Sequence, residues 1–293
     1  MTVRITAPLT DTEATSGRRL VWLASAAAGH PLGSASLRLF TAPGQQHLAE
    51  LDLQVHPAER RRGTGSRLLA AATDAAGADG RRSLLAQADE GSPADAFLAA
   101  RGFRPVLTLR HARLPLADAD PAALAALVAR PHPGYRLVSW DGAVPDELLA
   151  TFTASRRAMD DMPMDETDYG TVTWDAARVL DAAAAVARRG ELLHTVAAVD
   201  ESDGSVVGFT ELVVPGDGTG DAQHYGTGVL PEHRGRGLST WMKAESVLAA
   251  RRRHPRLAGL LTDTADSNAP MRAVNHALGY RPTHTALTYQ LDL

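Results

Sequence analysis

Two stretches far apart in the chain share one plan: "VHPAERRRGTGS", from Val55 to Ser66, and "VLPEHRGRGLST", from Val229 to Thr240. Each follows an alternating apolar run that reads as a strand and each opens a helix, with Leu238, Trp241, Met242 and Leu248 at helical spacing in the second copy. A strand, a glycine-rich turn and a helix start bring successive backbone N–H groups together where they can hold a phosphate. Glycine lets the backbone approach that group, because a side chain would hold it off. One copy would be an ordinary basic helix entry. Two copies in matching order need a common explanation, and a duplicated α/β fold is the expected one.

The surroundings repeat in the same order. In the first half, "RLVWLASAAAGHPLGSASLRLF" and "QHLAELDLQVHP" read as strands, then come the turn and an alanine-rich helix. "RSLLAQAD" (strand), "PADAFLAARGF" (helix) and "PVLTLRHARLPL" (strand) close that half. The second half gives a hairpin turning at "ESDG", the turn and its helix, then "LAGLLTDTAD", "APMRAVNHALGY" and "THTALTYQLDL" as strand, helix and strand. The expected organisation is a lobe over 1–116, a helical linker closed by prolines over 117–134 and a second lobe over 135–293. Each lobe is expected to be a mixed α+β sheet with helices on both faces, splayed open after the strand that precedes the turn. Only the second lobe carries early helices, in "VPDELLATFTASRRAMDDMPMDETDYG" and "WDAARVLDAAAAVARRG", around an acidic loop.

The totals fit a globular protein of two domains. The 293 residues include 44% hydrophobic residues with no long apolar run, and the start has no apolar signal-peptide core. A cytoplasmic protein with no membrane partner is expected. The absence of cysteine excludes disulfides, thiolate metal sites and an acyl-cysteine relay. A formal net charge of −4 disfavours nucleic acid as a partner despite local arginine runs. Lys243 is the sole lysine beside abundant arginine and alanine, a bias of GC-rich bacterial genomes.

The spacing Arg-x-x-Gly-x-Gly/Ala after a strand resembles the acyl-CoA-binding motif of the GCN5-related N-acetyltransferases (GNATs), here as a tandem pair. It is carried by Arg60, Gly63 and Gly65 in the first lobe, and by Arg234, Gly237 and Ser239 in the second, where serine replaces the preferred small residue. "SNAPMRAVNHALGYRP" resembles the family's later block, including Asn268 and the Gly279-Tyr280 ending. The resemblance implies acetyl-CoA, or another acyl-CoA, held by Val229, Leu230, Arg234, Gly235, Arg236, Gly237, Leu238, Ser239, Thr240, Asn268 and Asn275. Val55, Arg60, Arg61, Arg62, Gly63, Thr64, Gly65 and Ser66 form a possible second cofactor site. The first lobe has Gly91 where the family's Asn falls and Leu98 where its Tyr falls, and it lacks the early helices that wall an acceptor. It is therefore read as degenerate, and the second lobe as catalytic.

Acyl transfer to an amine needs a base, an oxyanion donor and, optionally, an acid for the leaving thiolate. Glu211, in "GFTELVVP", is the expected base, with His224 second; the backbone N–H of Val229 or Leu230 is the expected donor. The family often uses a tyrosine as the acid, but the equivalent position, seven residues after Asn268, is Asn275. Tyr225 or His276 then supplies the proton, or the thiolate leaves unaided. Asp160, Asp161, Asp165, Glu166 and Asp168 crowd the acidic loop; they either attract a small cationic amine or are a solvated face. His194, His233 and His284 have no ligand-like spacing, and no metal is expected. The expected protein is an acyl-CoA-dependent N-acyltransferase working as a monomer with an internal pseudo-dimer; the alternative is an inactive acyl-CoA-binding sensor.

Overall fold

A computed structural model describes residues 3–11, 17–170 and 172–293. The chain forms two compact units: unit 1 comprises Met1–Thr108, Met164–Thr173 and Thr285–Leu293, and unit 2 comprises Leu109–Pro163 and Trp174–His284. Both contain a mixed sheet. Among the described residues, no helix is long and apolar enough to cross a membrane.

Unit 1 is built on β1 (Val3–Ile5), β2 (Leu9–Asp11), β3 (Gly17–Ala26), β4 (Pro31–Phe40), β5 (Leu48–Val55) and β6 (Ser83–Asp89). Helix α1 (Thr64–Ala78) makes the crossover between β5 and β6, which pair in parallel. Helix α2 (Pro93–Ala99) follows. Leu37, Leu51, Leu84 and Ala86 pack with Leu68, Ala72 and Leu98 of the helices in one core. The helices expected on both faces lie on one face in unit 1. On the other face, Phe40, Leu48 and Leu85 are covered by Tyr169, from the segment Met164–Thr173.

Unit 2 contains the later part of β7 (Arg104–Pro115), α3 (Pro121–Val128), β8 (Tyr135–Asp141), α4 (Asp146–Ser155) and α5 (Ala176–Arg188). Then come β9 (Leu192–Asp200), β10 (Val206–Val214), β11 (Gly220–Val229), α6 (Leu238–Arg253), β12 (Leu257–Ala265) and α7 (Ala269–Ala277). Its strands run β7-β12-β11-β10-β9-β8, antiparallel except for β11 with β12. Strand β10 is buried along its whole length, which explains its nearly continuous apolar sequence. Phe209 and Val213 face α4 and α5, whereas Leu212 and Val214 face α6.

The last strand of each sheet comes from the other half of the chain. β13 (Arg281–Asp292) pairs with β6 from Ala286↔Asp89 to Asp292↔Ser83, while β7 pairs with β12 from Leu109↔Ala265 to Pro115↔Gly259.

Candidate active site

In unit 2 the parallel pair β11–β12 is joined only from Gly220↔Leu257 to Gln223↔Leu261. Beyond that point β11 stays with β10 as far as Val229, and β12 stays with β7 as far as Ala265. The two arms part into an open V. Unit 1 repeats this: β5 and β6 are joined from Leu48↔Ser83 to Leu51↔Ala86, then each stays with its outer neighbour.

Backbone groups line the open arm of β11. The Leu230 N–H is bonded to Val207 O at 2.9 Å, so it serves the sheet. Successive N–H groups of a strand point to opposite edges, so those of Val229 and Thr227 face the V. Of the two donors expected from the sequence, Val229 alone has this orientation.

The turn after β11 ends the V at the start of α6. Gly235 and Gly237 have φ of +75° and +77°, and Gly237 caps the helix with no side-chain hydrogen bond. The first N–H groups of α6, at Leu238, Ser239 and Thr240, are thereby left to a ligand or water at the positive end of the helix. Gly63 has the same role at α1, with φ of +84°, and Arg61 takes the first left-handed position at +64°. Even the arginine bond recurs: Arg234 Nε donates to Val229 O at 2.8 Å, and Arg60 Nε to Val55 O at 3.1 Å. These arginines therefore brace the turn. Arg234 also forms an ion pair with Asp161, and Arg236 donates to the Tyr135 hydroxyl, which contacts His233 Nδ1 at 2.9 Å.

The helix after the V also recurs, with one change from expectation. Asn268 caps α7, accepting from Met271 N–H at 3.2 Å. The cap of α2 is Ser92, accepting from Asp95 N–H at 3.2 Å, rather than the expected Gly91. At the other end the match is kept: Phe103 N–H bonds Leu98 O, as Tyr280 N–H bonds Asn275 O. Leu98 thus does correspond to Asn275. Unit 1 also places Phe97 beside its turn, with ring atoms 3.5 Å from a Cβ built on Gly65. Arg101, in the turn just past this helix, donates to the Ser66 hydroxyl.

The early helices give unit 2 a second wall. After α4 the chain makes a short 3-10 turn, Arg156–Met159, over β11. Gly228 permits that approach, since a Cβ there would come within 3.0 Å of Ala158 Cβ and Met159 Sδ. The turn delivers Arg156 to Glu211, where the two buried groups form a two-pronged ion pair with one contact of 2.8 Å. Phe152, Trp174 and Phe209 surround the guanidinium at 4.5 to 4.7 Å. The opposite strand carries a bulge here: Glu211 pairs with Gly226 and Leu212 with His224, leaving Tyr225 as the extra residue. Tyr225 is exposed and accepts from Arg189 at 2.9 Å.

The acidic loop is divided. Asp160 and Asp161 belong to unit 2, while Asp165, Glu166 and Asp168 belong to unit 1. Arg234 holds the Asp161 carboxyl below its ordinary range. Asp168 lies 3.1 Å from His47, and Glu166 lies 3.8 Å from Arg104.

His224 lies on the α6 face of the sheet, opposite Glu211. Burial, and then the charge of Lys243, push its pKa well below the usual histidine value. Lys243 itself is buried, donating to Asn275 Oδ1 at 2.8 Å. His276 sits in the last turn of α7. Sequence reading missed both Arg156 and Lys243. Among the described residues, no group of three His, Cys, Asp or Glu side chains is placed to hold a metal.

This geometry has counterparts among known proteins. The profile of the acetyltransferase (GNAT) family matches residues 5–103 and 158–280. A mycothiol acetyltransferase of Tsukamurella paurometabola is 31% identical over 188 residues, which are 63% of this chain and 59% of that protein. The structure of a tandem GNAT protein from the clavulanic acid biosynthesis pathway, determined without acetyl-CoA, is similar at a TM-score of 0.77 and 27% identity. That match covers 95% of this chain and 84% of the other. A GCN5-related N-acetyltransferase from Sphaerobacter thermophilus shares the fold, with TM-score 0.65, 15% identity and coverage of 93% and 80%.

Proposed function

The chain belongs to the acetyltransferase (GNAT) family, and from that premise we propose that unit 2 transfers acetyl from acetyl-CoA to the primary amine of a small cationic molecule. The observation that carries this reading is the open V between β11 and β12, ending at the uncapped start of α6 and walled by α4 and α5 in unit 2. Two left-handed glycines and the free N–H groups of α6 suit a pyrophosphate. Acetyl-CoA supplies an activated acetyl group. The Val229 N–H is oriented to hold its carbonyl oxygen.

On the wall formed by the 156–159 turn, Glu211 takes the proton that the amine must lose. Arg156 occupies two of the carboxylate's four lone-pair directions, and the other two remain for an ammonium group. Asp160 is the acidic-loop residue of unit 2 that no ion pair claims among those described, and it would attract the cation. Unit 1 has a turn of the same form but no early helices, so it supports unit 2 and does not turn over acetyl-CoA.

The substrate class rests on the chemistry at this wall. A thiol-release assay with acetyl-CoA and a panel of primary amines tests the reading. Amine-dependent release, fastest with cationic amines, supports it. Binding of acetyl-CoA with no release on any amine would favour a sensor module instead.

A further inference from the structure

The two units provide an internal comparison, because equivalent positions can be counted from shared landmarks. Six residues after the capping glycine, Lys243 corresponds to Leu69. Four residues before the helix cap, Thr264 corresponds to Ala88. Asn275 and Tyr280 correspond to Leu98 and Phe103, which make the same backbone bond. Counting back from Arg234 and Arg60, and allowing for the bulge, His224 corresponds to Leu51. All five positions are buried in both units.

In unit 1 these five side chains are ordinary members of one apolar core. In unit 2 every one of them is polar. The fold alone does not demand this, since its other copy is built without it, and burying polar groups carries a cost. The polar set lies where β11 and β12 part. Lys243 donates to Asn275 Oδ1, and Asn275 Nδ2 donates to Thr264 Oγ1 at 3.1 Å. His224 Nε2 and the Tyr280 hydroxyl are buried without a hydrogen-bond partner. The Lys243 ammonium also lies 5.0 Å from the Tyr280 ring centre.

We propose that Lys243 gives the departing CoA thiolate its proton, with Asn275 holding its Nζ in position. The proposal rests on the acetyl-transfer reading of unit 2. As the amide forms, the C–S bond breaks and its electron pair goes to sulfur. A proton passes from the Lys243 ammonium to that sulfur, leaving the neutral amine. An alkylammonium acceptor loses two protons in becoming an amide: one restores Lys243 and the other reaches solvent. Burial brings the pKa of Lys243 down to about 7, so it can both give and regain a proton near neutrality. The groups facing it are His224 from β11, and Asn275 and Tyr280 from α7 and its end, while the charge of Asp263 reaches it from the other face of β12. Asp263 favours the ammonium, whereas the buried His224 stays neutral beside it.

Because Lys243 is the sole lysine, the full-length protein labelled with 13C at lysine Cε gives a single titrating resonance. CoA and desulfo-CoA differ only at the sulfur. CoA should move the Lys243 titration upward by about one unit or more, as a thiolate beside it stabilises the ammonium, and desulfo-CoA should not. Identical titrations with both ligands bound would overturn the proposal. Failure of either ligand to bind would overturn the acetyl-CoA reading first, and the proposal with it. In turnover, Lys243→Leu, the residue of the other unit, should keep acetyl-CoA affinity and lower kcat by about 10²- to 10⁴-fold. It should also remove the alkaline fall of kcat, an effect that lost packing would not produce; an unchanged profile would count against the proton role.

Discussion

Replacing Gly237 and Gly63 by valine, one at a time, separates the cost of backbone strain from the loss of a binding site. Both glycines cap a helix from the left-handed region, at φ of +77° and +84°. A residue with a Cβ costs about 1–2 kcal/mol there, and a β-branched one more. Space does not distinguish the sites much: a Cβ on Gly63 meets nothing within 4 Å, and one on Gly237 lies 3.4 Å from His132 Nε2. That histidine is half-buried, stacking on Trp241 at 4.1 Å, and 3.4 Å is at the edge of ordinary contact. The two variants should therefore lose similar stability, about 2 kcal/mol or more each, a fall in Tm of about 4–8 °C or more at roughly 2–4 °C per kcal/mol. Their function should diverge. Calorimetric titration should show acetyl-CoA affinity lost in Gly237→Val, by about 100-fold or more, because the side chain holds the pyrophosphate off several N–H groups worth over 1 kcal/mol each. Thiol release should fall with it. Gly63→Val should keep turnover within about two-fold once its lower Tm is respected, a difference of well under 1 kcal/mol. If Gly63→Val abolishes turnover while Gly237→Val retains it, the productive turn has been assigned to the wrong unit.

Three further outcomes follow from named contacts. Glu211→Gln should retain acetyl-CoA affinity and lower amine turnover by about 100-fold or more near neutral pH, the deficit shrinking in alkali as the amine deprotonates itself; a parental rate near neutrality would remove Glu211 as the base. Arg156→Leu leaves the Glu211 carboxylate buried without its partner, so urea unfolding should show a loss of about 3–5 kcal/mol, and a loss below about 1 kcal/mol would show the pair to be solvated. His224 has a folded-state pKa well below its unfolded value, so the unfolded chain binds the extra proton as pH falls below about 6.5 and stability drops. His224→Leu, copying Leu51, should flatten that acid limb by about 1.4 kcal/mol per pH unit, and unfolding curves of equal steepness against pH would contradict it.

Much of this structure is legible in the chain because its signals are local. The duplicated turns announce themselves through glycine spacing between a strand and a helix, and both adopt the left-handed caps that spacing implies. The early helices α4 and α5 follow from helical periodicity. The exchange of β7 and β13 is not legible, because the sequence of a strand sets its faces but not which edge it joins. The partner of Glu211 was hidden for a related reason. Arg156 stands in "ASRRAM" beside Arg157, and only the close approach allowed by Gly228 selects it for burial. A signal for Lys243 did exist: it falls on the buried stripe of α6 with Leu238, Met242 and Val247, where a lone lysine is out of place. The count to Gly91 misses the cap because the run from cap to matched position is six residues in α2, Ser92 to Leu98, and seven in α7, Asn268 to Asn275.

Hydrogen–deuterium exchange of the full-length protein with and without acetyl-CoA tests the central claim most directly, since it reports which backbone N–H groups the cofactor takes. The account predicts slowed exchange in peptides spanning Gly226 to Trp241, at the open arm of β11 and the start of α6, whatever happens at the Arg60–Arg67 turn. Protection confined to Arg60–Arg67, with none at Gly235–Thr240, would contradict it.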